Sequence, residues 1–227
     1  MPDGALPGRQ AEARRNDEAI LAAARAVFVA DPDAPVSAVV DRAGVNVSSL
    51  YRRYASKEDL LRRLCGDGLL TYVAIARRAV EDIERENGDP WAVFVRFMEE
   101  VVEADTHALT IRLAGRFRPT EDEQRNAVEA AGLNDRLVGR AQAAGVLRPD
   151  IDPHDLSFVF EQVSHVTAAT PPRTAELRAR YLALHLDALR ARGRTPLPGR
   201  PPDQGELRAR WDPRPGRRQP PWGRAGV

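Results

Sequence analysis

Apolar residues recur at helical spacing along most of this chain, and we find no stretch with the pattern of a strand. A spacing of three and four residues places apolar side chains on one face of a helix, as in the series Ile20, Ala23, Ala24, Val27 and Phe28. Clusters of glycine, proline and aspartate separate such blocks and indicate turns. We therefore predict an all-α protein with helices at about 11–29, 35–43, 47–54, 57–87, 90–105, 107–116, 121–144, 153–169 and 174–192.

Length and composition exclude several classes of protein. The 227 residues suffice for one compact domain or two small ones. The single cysteine, Cys65, excludes a disulfide framework within the chain and a Cys-rich zinc site. The N-terminus has no apolar core of the kind that a signal peptide requires, and no stretch approaches the length of a membrane span. We expect a soluble, cytoplasmic protein.

The formal net charge of +1 conceals an uneven distribution. Residues 42–63 contain six basic and two acidic side chains, which is the composition of an anion-binding surface but also of a solvated helix face. Residues 193–227 contain eight of the 18 prolines and eight arginines. Such a segment buries too little apolar surface to offset its ordering entropy, so we expect an extended or disordered tail.

The segment Pro35–Leu61 has the pattern of two short helices joined by a tight turn. The first helix ends at Ala43, and Gly44 provides a backbone conformation that a Cβ would hinder. Asn46 is placed to cap a second, very short helix, which must be held by packing because it is marginal in isolation. Ser56 then begins a pattern typical of a capping box at the start of a long helix. Two helices in this arrangement form a helix-turn-helix, whose second helix enters the major groove of DNA.

Several short motifs follow one another in order within the first 65 residues. They are Ala19-Ile20-Leu21, Ala24, Val27-Phe28, Ala43-Gly44-Val45, Leu50-Tyr51, Tyr54, Ser56-Lys57-Glu58 and Leu60-Leu61. Together they resemble the TetR family of bacterial transcriptional regulators. The resemblance implies a three-helix helix-turn-helix DNA-binding domain at 11–65, an all-helical ligand-binding and dimerisation domain at 66–192, and a Pro/Arg-rich tail at 193–227.

The start of the short second helix is expected to contact double-stranded DNA. Ser48, Ser49 and Tyr51 can reach base edges or phosphates, whereas Val47 can offer an apolar contact to a thymine methyl group. We expect Tyr51 to be exposed rather than part of the core, because the neighbouring apolar positions already cover the buried face.

Three cations follow on the same segment. We expect Arg52 and Arg53 to share two roles, a bidentate contact to guanine and a contact to phosphate. Lys57, the one lysine of the chain, lies at a helix start, where its charge opposes the helix dipole. Between a solvated side chain and a phosphate ligand, the motif favours the phosphate ligand.

The second half is expected to contain a pocket for an unknown small molecule. Most of its aromatic and aliphatic side chains must form the core, and a minority with a few polar anchors would line the pocket. The candidates for contact with the ligand are Phe94, Phe97, Met98, His107, Ile111, Arg112, Phe158, Gln162 and His165.

The last two predicted helices are apolar on more than one side. One stripe of each helix can cover the monomer core while another meets a second copy in a four-helix interface, although packing within one chain would produce the same pattern. The candidates for a homodimer interface are Val159, Val163, Val166, Leu177, Tyr181 and Leu184.

Little in the sequence supports an enzymatic function. Glu161 and His165 are four residues apart, but no third metal ligand is evident, and no phosphate-binding, dinucleotide-binding or nucleophile-elbow motif is present. We expect no metal, no cofactor and no catalytic residues. The predicted function is a ligand-responsive regulator, expected to be a repressor that binds a palindromic operator as a homodimer. An activator and a helix-turn-helix protein that acts through protein partners are the alternatives.

Overall fold

The computed structural model describes residues 7–85, 88–113, 115–192 and 195–210, apart from the side chains of residues 7–11, 13, 107, 108, 111 and 112. Every regular element in these ranges is a helix, and one isolated antiparallel bridge joins Leu147 to Arg190. The predicted all-α class is confirmed. The helices are α1 (Pro7–Ala30), α2 (Val36–Ala43), α3 (Val47–Arg53), α4 (Lys57–Ile83), α5 (Pro90–Glu103), α6 (Thr106–Leu113), α7 (Glu121–Ala143), α8 (Asp155–His165), α9 (Pro171–Leu189) and α10 (Gln204–Ala209).

α9 begins three residues earlier than predicted. Proline is a turn signal between predicted helices, but the Pro171-Pro172 pair occupies the first two positions of this helix, with the Thr170 side chain accepting a hydrogen bond from the Arg173 N–H. Proline suits these positions because its missing N–H would have no helical partner there. α8 ends at His165, earlier than predicted, because Val166 has an extended backbone.

An N-terminal core joins α1, α2, α3 and the first part of α4. Its most buried side chains include Ala24, Phe28, Val39 and Leu60. The sequence positions predicted to face inward from α1 are therefore the ones that pack. This core also receives Leu109, Leu113 and Phe117 from α6 and the segment after it.

A separate C-terminal core lies between the second part of α4 and helices α5, α7, α8 and α9. Phe94, Phe97, Phe160 and Leu137 are buried at its centre. The two cores share the 27-residue helix α4, in which Cys65 belongs to the N-terminal core and Tyr72 to the C-terminal core. The expected division at residue 65 thus falls within one continuous helix.

α6 lies in the expected C-terminal domain by sequence, and it packs against both α8 and the DNA-binding half. The segment that follows α6 adds polar contacts to the DNA-binding half. Arg116 forms an ion pair with Asp33 between α1 and α2, and the Arg118 N–H donates to Glu58 Oε1 at 3.2 Å. Three contacts of different kinds therefore connect α6 and its continuation to the N-terminal core.

The described part of the tail differs from the expected extended or disordered segment. Residues 204–209 form α10, which begins with a capping box between Asp203 and Glu206. The Arg210 guanidinium lies 2.6 Å from Glu161 Oε2 and 4.5 Å from the centre of the Phe158 ring on α8. These local and long-range contacts hold this short helix against α8. Residues 211–227 lie outside the described residues.

Candidate DNA-binding surface and C-terminal interior

The turn between α2 and α3 has the predicted geometry. Gly44 has a φ of 65° and a ψ of 30°, and its N–H donates to the Val40 carbonyl oxygen at 3.0 Å. A side chain at this position would meet no neighbouring atom, so the left-handed backbone rather than space favours glycine. Val45 is half-buried against the N-terminal core. The turn therefore fixes the direction in which α3 leaves α2.

Packing holds α3 in place. Leu50 is 1% exposed and Tyr54 is 6% exposed. Burial of one such leucine stabilises by roughly 2 kcal/mol, which matters because a helix of seven residues is unstable alone. Asn46 occupies the predicted cap position before the helix, but its side chain makes no hydrogen bond at the helix start.

The start of α4 has half of the predicted capping box. The Ser56 hydroxyl accepts a hydrogen bond from the Asp59 N–H at 3.1 Å. The carboxylate of Asp59 pairs with Arg62 instead of reaching back to the helix start. The start of α4 therefore has one of the two hydrogen bonds of a capping box, the one that Ser56 accepts.

The outer face of α3 is open. Val47 and Tyr51 are 50% and 47% exposed, and Ser48 and Arg52 are exposed beside them. Ser49 is half-buried and its hydroxyl accepts a hydrogen bond from Arg52 at 3.2 Å. These five residues form what we call the recognition face. It offers hydroxyls, one aromatic ring and one guanidinium, the groups that contact bases and phosphates.

Arg53 is engaged within the chain. Its guanidinium forms two hydrogen bonds to the carboxylate of Asp17 on α1, at 2.9 and 2.8 Å, and the Tyr54 hydroxyl donates to the same carboxylate at 2.7 Å. Burial acts to raise the pKa of Asp17, but these hydrogen bonds and the Arg53 charge outweigh it and lower that pKa. The arginine therefore fixes α3 against α1. Sequence reasoning missed Asp17, which lies 36 positions away and belongs to no local motif.

Lys57 also turns inward. Its ammonium donates to the Ala34 carbonyl oxygen at 2.7 Å and lies 4.9 Å from the centre of the Phe28 ring. Burial lowers the pKa of this lysine. The side chain thus ties the connection between α1 and α2 to the start of α4. This geometry differs from the predicted phosphate ligand, because the ammonium already satisfies a buried carbonyl group.

The predicted pocket residues separate into three groups. Phe94, Phe97 and Met98 are at most 1% exposed and pack as core, with Phe97 in edge-to-face contact with Tyr72 and Phe160 at ring-centre distances of 6.0 and 6.1 Å. A second group lies on the outside of α8, where Gln162 and His165 are exposed and Phe158 is half-buried under Arg210. This group lies at the surface because α8 directs its opposite side, with Phe160 and Val163, into the core. The side chains of His107, Ile111 and Arg112 lie outside the described residues.

A small, partly open cavity of about 10 Å³ lies between α5, α8 and α9, which is space for one water molecule. Sequence reasoning missed its polar residues, because their charges meet only in the folded chain. The lining residues are Val101, Val102, Asp105, Phe160, Ser164 and Arg178.

The two apolar stripes of α9 have different surroundings. Leu182, Leu186 and Leu189 are buried in the C-terminal core, whereas Tyr181 and Leu184 are 45% and 57% exposed. The predicted division between a core stripe and an outer stripe is present in the fold.

The other candidate interface residues are less uniform. Val159, Val166 and Leu177 are half-buried. Val163 is 1% exposed within the core of its own chain, so its assignment to the outer surface was wrong. It lies three positions after Phe160, on the inward side of α8.

The described residues offer little for metal or thiol chemistry. They contain no group of three His, Cys, Asp or Glu side chains that could bind a metal ion. The Glu161 carboxylate pairs with Arg210, and His165 Nδ1 lies 2.8 Å from the Glu161 carbonyl oxygen. Burial raises the pKa of the Cys65 thiol to about 12, which keeps it protonated and unreactive.

The same ranges of the chain contain no helix with both the length and the apolar character needed to cross a membrane.

Comparison with solved structures identifies the fold. A TetR regulator from Mycobacterium vanbaalenii is 22% identical, with 80% of this chain and 98% of that chain covered and a TM-score of 0.50. The regulator LfrR from Mycobacterium smegmatis, solved with proflavine, is 18% identical over 81% and 99% of the two chains, with a TM-score of 0.53. A TetR family regulator from Marinobacter aquaeolei is 17% identical over 81% and 100%, with a TM-score of 0.50. No curated protein matches this chain.

Two family models match the sequence itself. Residues 20–64 match the model of bacterial regulatory proteins of the TetR family, and residues 89–191 match the C-terminal domain of SbtR-like transcriptional regulators. The first match covers the helix-turn-helix, and the second covers helices α5 to α9. The chain therefore belongs to the TetR family, and it is a DNA-binding transcriptional regulator rather than an enzyme.

Proposed function

We propose that this protein is a homodimeric, cytoplasmic repressor that binds a palindromic operator and is released from it by a small molecule. The observation that carries the proposal is the recognition face, an exposed polar surface on a short helix that two buried side chains hold in place. A rigid helix with an open polar face suits insertion into the major groove.

On the recognition face, Arg52 is the candidate for sequence readout. Its guanidinium is exposed and lies within hydrogen-bonding distance of Ser49, which orients it along α3. A guanidinium in this position can form two hydrogen bonds to guanine. Ser48 and Tyr51 supply phosphate or base-edge contacts, and Val47 supplies an apolar contact. Arg53 and Lys57 act as positioning residues for the helix.

The outer stripe of α9 supports the homodimer. Tyr181 and Leu184 leave apolar surface exposed on α9, and the candidates Leu177, Val159 and Val166 are half-buried. Exposed apolar patches of this kind are typical of protein interfaces. Two copies joined there would present two α3 helices to successive major grooves, with half-site centres about 34–36 Å apart.

The C-terminal domain is proposed to bind the effector. LfrR, which shares this fold, was solved with proflavine, so the architecture admits a small ligand. Here the cavity between α5, α8 and α9 has a volume of about 10 Å³. That volume is smaller than such a ligand, so we infer that binding separates these helices. By thermodynamic reciprocity, operator DNA must weaken effector binding by the factor by which the effector weakens operator binding.

The experiment that tests this proposal is the selection of bound fragments from a random DNA library at a stated salt concentration. The proposal predicts enrichment of a palindrome whose half-sites are one helical turn apart. A matched selection with Arg52→Ala should relax the preference at one position of each half-site. Binding that is sensitive to salt but enriches no motif would contradict specific operator recognition.

A further inference from the structure

The polar wall of this cavity includes an arginine that is largely withdrawn from solvent. The side chain of Arg178 on α9 is 13% exposed. Its guanidinium donates to Asp105 Oδ1 at 2.8 Å, to the Ser164 carbonyl oxygen at 2.8 Å and to the Val166 carbonyl oxygen at 3.1 Å. One cation thus joins α9, the end of α8 and the connection between α5 and α6. A buried guanidinium needs an anionic partner, because an unpaired buried charge is costly.

The remaining walls are largely apolar. Val101 and Val102 come from α5 and Phe160 from α8. Phe160 also packs edge to face with Phe97 and Tyr72, at ring-centre distances of 6.1 and 6.3 Å. The cavity therefore combines one guanidinium with hydrocarbon and aromatic surface. This chemistry suits a ligand with a carboxylate at one end and an apolar body, because a guanidinium can hold both oxygens of a carboxylate.

Asp105 occupies the anion position with an unusual backbone conformation. Its φ of 49° makes it the one non-glycine residue with a positive φ in the described part of the chain, a conformation that costs energy for an L-residue. Its side chain is 31% exposed, so the carboxylate can return to water if another anion replaces it. The next residue, Thr106, is 4% exposed, and its hydroxyl has no hydrogen-bond partner among the described residues. The connection between α5 and α6 is therefore an unfavourable arrangement that Arg178 holds in place.

We propose that the effector site of this regulator is centred on Arg178 and binds an apolar carboxylate, which displaces Asp105 from the guanidinium. The apolar body of the ligand enters between Val101, Val102 and Phe160 as α5, α8 and α9 separate. The inference rests on the proposed function as a ligand-responsive regulator and specifies the chemical class of the ligand. The present volume of about 10 Å³ is smaller than such a ligand, so this separation is required for binding.

The position of Asp105 connects the site to the DNA-binding half. Asp105 directly precedes α6, which places Leu109 and Leu113 in the N-terminal core. Release of Asp105 frees the start of this helix, while its other end remains packed beside the helix-turn-helix. A change in the anion bound to Arg178 is therefore transmitted through α6, which gives the ligand different affinities for two arrangements of the chain.

The test uses the full chain without DNA and a series of simple probes. Butanoate, hexanoate, octanoate, decanoate and phenylacetate are titrated by calorimetry, each beside its neutral amide. Thermal unfolding provides a second readout, because a ligand of the native state raises the melting temperature. We expect at least one acid to bind at least about tenfold more tightly than its amide, because only the acid can replace Asp105.

Two variants distinguish a carboxylate-binding site at Arg178 from a purely structural role of this arginine. Asp105→Asn keeps a residue that tolerates a positive φ and removes the competing charge, so carboxylates should bind about tenfold more tightly than to the parent chain, with little change for the amides. Arg178→Lys keeps the charge but loses the planar fork, so the preference for acid over amide should fall at least about tenfold.

The inference is overturned if the acids bind Asp105→Asn no more tightly than the amides do, or no more tightly than they bind the parent chain. Operator selection is performed separately. An enriched operator without carboxylate binding would reject this site and leave the proposed regulator intact. Carboxylate binding without operator recognition would reject the proposed function and leave the site.

Discussion

Helices α3 and α9 both leave one side exposed, but the two exposed sides differ in chemistry. The short α3 exposes Ser48, Tyr51 and Arg52 beside a single aliphatic residue, Val47, whereas the outer stripe of α9 exposes Tyr181 and Leu184. A polar side with a guanidinium suits a charged and hydrated partner such as DNA. An apolar side suits a second protein surface, since association there removes hydrocarbon from water. One chain thus has two outward surfaces whose compositions point to two kinds of partner.

The two helices are also held in different ways. α9 has 19 residues and buries a row of leucines in the C-terminal core. α3 has seven residues, and besides Leu50 and Tyr54 it depends on the ion pair between Arg53 and Asp17. The long helix is therefore held by hydrophobic burial along its length. The short one adds a polar contact whose strength depends on pH and salt.

The largest expected effect is on dimer formation through the outer stripe of α9. Leu184→Asp places a carboxylate on the outer stripe of α9, where an unpaired charge opposes association. We expect the dissociation constant of the dimer to rise on the order of a hundredfold, measured by sedimentation equilibrium. Val128→Asp is the matched control, because Val128 is a 63% exposed apolar residue on α7. Equal effects of the two substitutions would show that α9 has no special role in assembly.

The second largest expected effect is on operator binding by the recognition face. Arg52→Ala should weaken operator binding by about 1–3 kcal/mol through loss of a base contact, while the melting temperature stays unchanged because the side chain is exposed. Fluorescence anisotropy on operator variants checks the prediction. Arg125→Ala on α7, where the arginine side chain is 68% exposed, is the control for a simple loss of charge. Loss of affinity in both variants would reduce the role of Arg52 to general electrostatics.

Lys57 sharpens the comparison, because it supports α3 without belonging to its exposed face. Lys57→Met keeps an unbranched side chain near Phe28 but leaves the Ala34 carbonyl oxygen without its donor. We expect the free energy of unfolding in urea to fall by about 1 kcal/mol, with an unchanged dependence of DNA affinity on salt. A phosphate ligand would give the opposite result, a salt slope lower by about one and little loss of stability.

The smallest effect concerns the pH dependence of the contact between α3 and α1. The pKa of Asp17 lies below its ordinary value of 3.8 in the folded chain. Its stabilising contribution is therefore complete above the pKa of the unfolded chain and is lost as the pH falls through the folded value. Asp17→Asn should be less stable than the parent chain near neutral pH by about 1 kcal/mol or less, since Arg53 is half-exposed. Urea unfolding at a series of pH values should show this difference shrinking as the pH falls below about 4.

The local features of the fold could be predicted from the sequence. Gly44, Leu50 and Tyr54 follow from the spacing and chemistry of neighbouring residues, and the two stripes of α9 follow from helical periodicity. The Pro171-Pro172 pair shows the limit of local signals, because proline both ends one element and begins the next.

The polar contacts between distant segments could not be predicted. Arg53 meets Asp17 across 36 positions, and Arg178 meets Asp105 across 73. From the sequence, Arg53 is expected to contact DNA and Arg178 is not singled out, because the fold decides whether a cation faces solvent or a carboxylate within the chain. Lys57 was interpreted as a phosphate ligand for the same reason, since the carbonyl group that it satisfies lies 23 positions earlier.

The most direct test of whether α3 binds DNA and α9 binds a second copy is the mass of the complex on a selected operator. This mass is measured by mass photometry for the parent chain and for Leu184→Asp. The account predicts two copies of the parent chain on each palindromic duplex, and one weakly held copy of the variant on either half-site. A single parent chain on each duplex, or two copies of Leu184→Asp bound as tightly as the parent, would contradict the assignment of α3 to DNA and of α9 to the second copy.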